Sequence, residues 1–211
     1  MSILLIGASG RTGRLVAEKL HEAAVPFRAM LRSATKSEEF NRLGGSPVIA
    51  DLAGDFSSAF ASASTVIYAA GSAETEGADQ ERLIDRDAVI KSADFARQHG
   101  VGLLVVISAL LAYEPERSPA ALRHYAQMKR ESDDYVIASG IGYLVLRPGA
   151  LTMERGVGTI QIVSDAESRR VPVAREDVAE VVLEALRAKL VNKVIGFAGG
   201  GVLIRDALAA S

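Results

Sequence analysis

The sequence predicts an α/β fold: a doubly wound parallel sheet of about seven strands with helices on both faces and a small C-terminal lobe. Three observations carry that expectation. Short apolar runs alternate along the chain with longer runs of helical period. The first apolar run passes straight into a glycine-rich turn, Gly7-Ala8-Ser9-Gly10-Arg11-Thr12-Gly13, that opens a helix. The composition, 49% hydrophobic and 24% charged over 211 residues, suits one globular domain spanning residues 1–211.

The elements follow in order. Residues 3–6 read as a strand and 12–24 as a helix that sets Leu15, Val16, Lys19 and Leu20 within one turn of each other. A strand at 26–31 precedes a short helix at 38–43, which stops at Gly44-Gly45. Strands at 46–50 and 65–70 lead to a long helix at 80–98, closed by His99-Gly100. A strand at 103–107, a helix at 121–139 and a strand at 143–146 come next, then a helix at 178–190 and a strand at 194–198. Right-handed crossovers make such βαβ units a parallel sheet. The irregular stretches 71–78, 113–120 and 151–158 all follow strands, where an open α/β sheet holds its ligand.

Composition removes several classes of function. Lys and Arg number 24 against 26 Asp and Glu, a net charge of −2, so no basic field invites nucleic acid. The longest apolar run, 101–112, is too short to span a bilayer, so no membrane association is expected. The absence of cysteine excludes disulfides and thiolate chemistry and fits the cytoplasm; Met1 and Ser2 lead directly into the first strand, so no leader is expected. His21, His99 and His124 lack metal-ligand spacing, so no metal is expected. Asp133-Asp134 read as exposed charge, and Met128 and Met153 as core.

A glycine turn between strand and helix aims backbone N–H groups and the positive end of a helix dipole at one spot, which suits a pyrophosphate. Gly7 permits the turn, Gly10 close approach, and Gly13 helix–strand packing, while Ser9, Arg11 and Thr12 complete the loop. The second strand ends in Arg32-Ser33 with no carboxylate, where an NAD site would place an acid. Arginine there accepts the 2′-phosphate of NADP, and Arg11 converges on it, so NADP (NADPH) is the expected cofactor and NAD the alternative. Tyr125 and Lys129 stand four apart on one helix face, where a cation would pull the phenol down from about 10. Ser108 ends the buried fifth strand, within reach of the same crevice.

The ordered set GASGRTG, VIYAAGS, VVISAL, HYAQMK, LVLRPGAL and VAREDVAEVVLEAL resembles the short-chain dehydrogenase/reductase superfamily. The similarity is to its extended and atypical branches, the epimerase/dehydratase-like and NmrA-like NAD(P)-binding proteins. That resemblance implies a Rossmann-type sheet and a pyrophosphate lined by Gly7, Gly10 and Gly13. It sets Asp51 and Leu52 beside adenine, Ala69, Ala70 and Gly71 near the ribose, and Pro148 and Gly149 near the nicotinamide. It makes Tyr125 the acid/base, Lys129 the residue that tunes it and holds the nicotinamide ribose, and Ser108 the residue that orients the substrate oxygen. The expected function is an NAD(P)-dependent oxidoreductase acting on a small carbonyl or alcohol, as monomer or homodimer. The alternatives are a non-catalytic NADP sensor and a flavin or quinone reductase on the same fold.

Overall fold

The computed structural model describes residues 2–72, 76–165 and 167–211; of the irregular stretch 71–78, positions 73–75 lie outside the described residues. The chain runs β1 (Ile3–Ile6), α1 (Arg11–Glu22), β2 (Phe27–Leu31), α2 (Ser37–Arg42), β3 (Gly45–Ile49), β4 (Thr65–Tyr68) and α3 (Ala78–Glu81). A π-helical turn, Arg82–Asp87, joins α3 to α4 (Ala88–Gln98). Then come β5 (Leu103–Ile107), α5 (Arg123–Ala138), β6 (Tyr143–Pro148), β7 (Ala150–Thr152), β8 (Thr159–Ile162) and β9 (Pro172–Ala174). The chain ends with α6 (Arg175–Arg187), β10 (Lys193–Gly199), β11 (Val202–Leu203) and α7 (Ile204–Ala209).

The central sheet has nine strands in the order β11-β8-β10-β6-β5-β4-β1-β2-β3. The strands expected from sequence are the parallel run β10-β6-β5-β4-β1-β2-β3. Its first six in chain order read 3-2-1-4-5-6, the order of a dinucleotide-binding sheet, with the switch point between β1 and β4. The residues after Gly149 enlarge this sheet: β8 pairs antiparallel with β10, and β11 with β8, while β7 and β9 form a separate parallel pair. These short edge strands carry too little periodicity to be read from sequence.

Alternation along each strand builds a core on both faces. Ile3 and Leu5 of β1 pack with Val16, Ala17 and Leu20 of α1 and Val178, Val181 and Val182 of α6. Leu4 and Ile6 face the opposite way, onto Val89, Ala93 and Ala96 of α4 and Val136 of α5. That second face is closed by Phe56 and Phe60, whose rings meet Phe95 at centroid distances of 5.0 and 5.7 Å. Phe56 is fully buried. Its replacement by alanine is expected to cost about 3–5 kcal/mol, measured by urea unfolding; a loss below 1 kcal/mol would show that the ring cluster does not support this face.

Candidate functional site

The carboxyl end of β1 meets the carboxyl end of β4 at the switch point. Gly7 turns the chain there with φ +76°, and a β-carbon on it would lie 2.4 Å from the Ala70 nitrogen, so only glycine fits. The Gly10 N–H donates to the Gly7 carbonyl at 2.9 Å, and Gly10 caps α1 with extended backbone and no capping side chain. A β-carbon on Gly13 would lie 2.1 Å from the Gly7 oxygen, which is the close helix–strand packing expected of the third glycine.

Ser9, Gly10 and Arg11 are exposed and Thr12 is buried, so the first turn of α1 opens towards solvent. The adjoining cleft, about 280 Å³, is lined by Ser9, Gly10, Arg11, Arg14, Leu15, Glu18 and Met153. Met153 is therefore not core: it is 66% exposed beside the glycine turn. Met128, by contrast, is buried as expected.

Arg32 and Ser33 end β2 in exposed positions. Neither Arg11 nor Arg32 has an ion-pair partner among the described residues, whereas neighbouring Arg14 pairs with Glu18 and Arg42 with Glu38. Asp51 is exposed, and its Oδ1 accepts the Ala53 N–H at 3.0 Å, so it shapes the turn after β3; Leu52 packs partly into the second core. Ala69 and Ala70 are half-buried and Gly71 is exposed at the end of β4. Pro148 ends β6 and Gly149 follows it, both buried; the Gly149 N–H donates to the Phe197 carbonyl, and the Val171 carbonyl covers the position of its missing β-carbon.

A side-chain-free helix cap, exposed N–H groups and two uncommitted guanidinium groups fit a dinucleotide's phosphates. Gly7, Ser9, Gly10, Arg11, Thr12 and Gly13 are drawn together at one end of the sheet, with Ala69–Gly71 across the switch point.

The second constellation lies on α5, where Tyr125, Lys129 and Asp133 follow at four-residue intervals on one face. Lys129 is 2% exposed; its Nζ lies 5.7 Å from the Tyr125 ring centre, 3.0 Å from Asp85 Oδ1 and 3.3 Å from the Ile107 carbonyl, to which it donates. Burial penalises this ammonium, yet Asp85, Tyr125 and Asp133 together outweigh the penalty and hold it protonated well above its usual 10.5. Tyr125 is half-buried, and its hydroxyl has no hydrogen-bond partner among the described residues.

Here the structure corrects two expectations. The Tyr125 phenol is pushed up, not down: burial outweighs the pull of Lys129, and Asp85, Asp133 and Glu81 add to the rise. Asp133 is not surface charge but fully buried, its Oδ2 taking the Ser108 hydroxyl at 2.7 Å and Arg147 Nε at 2.9 Å. Ser108 is 3% exposed, and its hydroxyl donates to that carboxylate. Arg147 is closed from the other side by the Tyr113 ring, 4.4 Å from its guanidinium carbon. Burial pushes the Asp133 carboxyl up, while Arg147, Ser108 and Lys129 pull it down.

Asp85 and Asp133 were missed, though both left a signal. Asp133 continues the four-residue spacing of Tyr125 and Lys129. Asp85 stands in line with Val89, Ser92 and Ala96 on the buried stripe of its helix, where a carboxylate requires a buried cation.

The chain belongs to the NAD(P)H-binding family, whose sequence pattern matches residues 7–189, and with it to the atypical branch of the short-chain dehydrogenase/reductase superfamily. It is 32% identical over 213 residues to YhfK of Bacillus subtilis, named an uncharacterized sugar epimerase, with 99% of each chain covered. A solved structure from Bacillus halodurans, named for the NAD-dependent epimerase/dehydratases, is 30% identical and superimposes with a TM-score of 0.95 over 100% of both chains. The fold is also that of the oxidoreductase ylbE from Lactococcus lactis: TM-score 0.87 at 23% identity, covering 100% of this chain and 96% of that one. The chain thus has the fold of an NAD(P)-dependent oxidoreductase and takes a nicotinamide cofactor. Among the described residues, no helix is long and apolar enough to cross a membrane.

The two adjacent aspartates of α5 give a test. Asp133→Ala leaves Arg147 buried without its anion and is expected to cost about 3–5 kcal/mol in urea unfolding. Asp134→Ala removes only an exposed pair with Arg130 and should stay within about 0.5 kcal/mol of the parent. Equal losses at the two positions would contradict the buried network.

Proposed function

We propose that the protein is an NADPH-preferring oxidoreductase acting on a small carbonyl or alcohol, as one dinucleotide-binding domain over residues 1–211 in the cytoplasm. The observation that carries this reading is the Tyr125–Lys129 pair: a half-buried phenol without a hydrogen-bond partner among the described residues, over a buried ammonium, at the carboxyl end of β5. A bound nicotinamide supplies or accepts the hydride.

The chain's own residues do the rest. The glycine turn and the first turn of α1 hold the pyrophosphate, and Arg32 with Arg11 takes the 2′-phosphate. Ala69–Gly71 and Asp51-Leu52 border the ribose and adenine, and Pro148-Gly149 backs the nicotinamide end. Because burial keeps Tyr125 protonated, it serves at neutral pH as the acid that donates a proton to the substrate oxygen, which favours carbonyl reduction. The Lys129 ammonium beneath it stabilises the phenolate left behind. Ser108 offers lone pairs, not a proton, so it would accept a hydrogen bond from a hydroxyl group nearby.

Two measurements test this. Arg32→Ala should weaken NADPH about 30-fold, roughly 2 kcal/mol for a charge-assisted phosphate contact, and leave NADH unchanged. Equal calorimetric affinities of the parent for NADPH and NADH would contradict the preference. Tyr125→Phe should lower turnover by about 10²–10⁴ on the best substrate of a panel of aldehydes, ketones, quinones and flavins, with cofactor affinity unchanged. Unchanged turnover would remove Tyr125 from the mechanism. Activity confined to quinones or flavins would make the protein a reductase of those, and none at all would make it an NADP sensor.

A further inference from the structure

The π turn has a specific effect on what lies beneath it. Among the described residues, Arg82–Asp87 is the only stretch whose backbone follows the wider π spacing, and it interrupts an otherwise continuous helix. The carbonyl of Ile84 accepts the hydroxyl of fully buried Tyr68 at 2.6 Å, which ties the turn to the end of β4. The next residue, Asp85, is thereby turned fully inside.

Its two oxygens divide their work. Oδ2 accepts both the backbone N–H of Ser72, at 3.1 Å, and the Ser72 hydroxyl. Oδ1 forms an ion pair with Lys129 Nζ at 3.0 Å and accepts no hydrogen bond among the described residues. One carboxylate thus joins the turn that follows Ala69–Gly71 to the lysine beneath Tyr125. A lysine ammonium has three donors. One is given to the Ile107 carbonyl, and the 3.0 Å ion pair with Asp85 holds the ammonium head in place.

Resting on the cofactor reading above, we propose that Asp85 is a positioning residue: its ion pair holds the Lys129 ammonium in place and locks Lys129 and the Gly71-Ser72 turn into one dinucleotide-binding unit. Other groups near the ammonium cannot replace it. Tyr125 and Asp133 lie on the same helix, and Asp133 is already held by Arg147 and Ser108. Without Asp85, burial would oppose the charge of Lys129 and leave its head free to rotate.

The test uses isotope-labelled lysine and NMR. In the parent protein, the ammonium protons of Lys129 should exchange slowly. In Asp85→Asn, which keeps the acceptor for Ser72, Lys129 should lose its proton at a pH at least one unit lower, a tenfold change in acid dissociation. The NADPH dissociation constant, read by fluorescence at pH 8, should rise about tenfold, with partial recovery in Asp85→Glu. A Lys129 signal that exchanges rapidly in the parent overturns the proposal whether or not the variants fold. So does a folded Asp85→Asn protein whose Lys129 titration or NADPH affinity matches the parent. Failure of the parent itself to bind NADPH is a different result: it overturns the cofactor reading and the role assigned to Asp85 with it.

Discussion

Burying two ionised groups on one face of α5 is the constraint that organises this end of the molecule. Lys129 and Asp133 are both all but excluded from water, and neither charge is tolerable there alone. Each has its counter-ion on another element: Asp85 on the π turn for the lysine, Arg147 on β6 for the aspartate. The four charges cancel, and satisfying them fixes α5 against β5, β6 and the turn after α3. Tyr125, one turn before Lys129, takes its position from that arrangement. Tyr113 closes over Arg147, and Gly196 of β10 makes room for the ring, since a β-carbon there would lie 2.9 Å from it.

This network changes the chemistry expected of an isolated tyrosine–lysine pair. A cation four residues away would depress a phenol in water, but here the cation is shared with carboxylates in a desolvated setting. The phenol consequently rises. In the proposed mechanism Tyr125, kept protonated by burial, would donate the proton, while the Ser108 hydroxyl, which donates to Asp133, would offer only lone pairs.

The parallel sheet was legible because its strands are continuous apolar runs separated by amphipathic helices, a pattern buried strands impose on sequence. The glycine turn was equally plain: Gly7 and Gly13 sit where a β-carbon would strike backbone. What could not be read was tertiary. The strand β8 owes its pairing to β10, and β11 to β8, rather than to their own periodicity, and Met153 is exposed on the loop after β7, where it lines a cleft beside the glycine turn. The π turn left no signature, because residues 80–98 carry an unbroken helical pattern. Asp133 was read with its neighbour Asp134 as surface charge; its place in the Tyr125–Lys129 row hinted otherwise, and its partners Arg147 and Ser108, distant in sequence, show the difference.

A dinucleotide bound as proposed would lie across the carboxyl end of the sheet and touch both the glycine turn and the α5 row. Backbone amide NMR of the labelled protein titrated with NADPH examines that placement directly. The predicted outcome is a saturable set of shifts at Gly7–Gly13, Arg32, Ala69–Ser72, Ser108 and Tyr125–Lys129, with residues at the opposite end of the strands unmoved. Shifts confined to the glycine turn, with the α5 row silent at saturation, would contradict it.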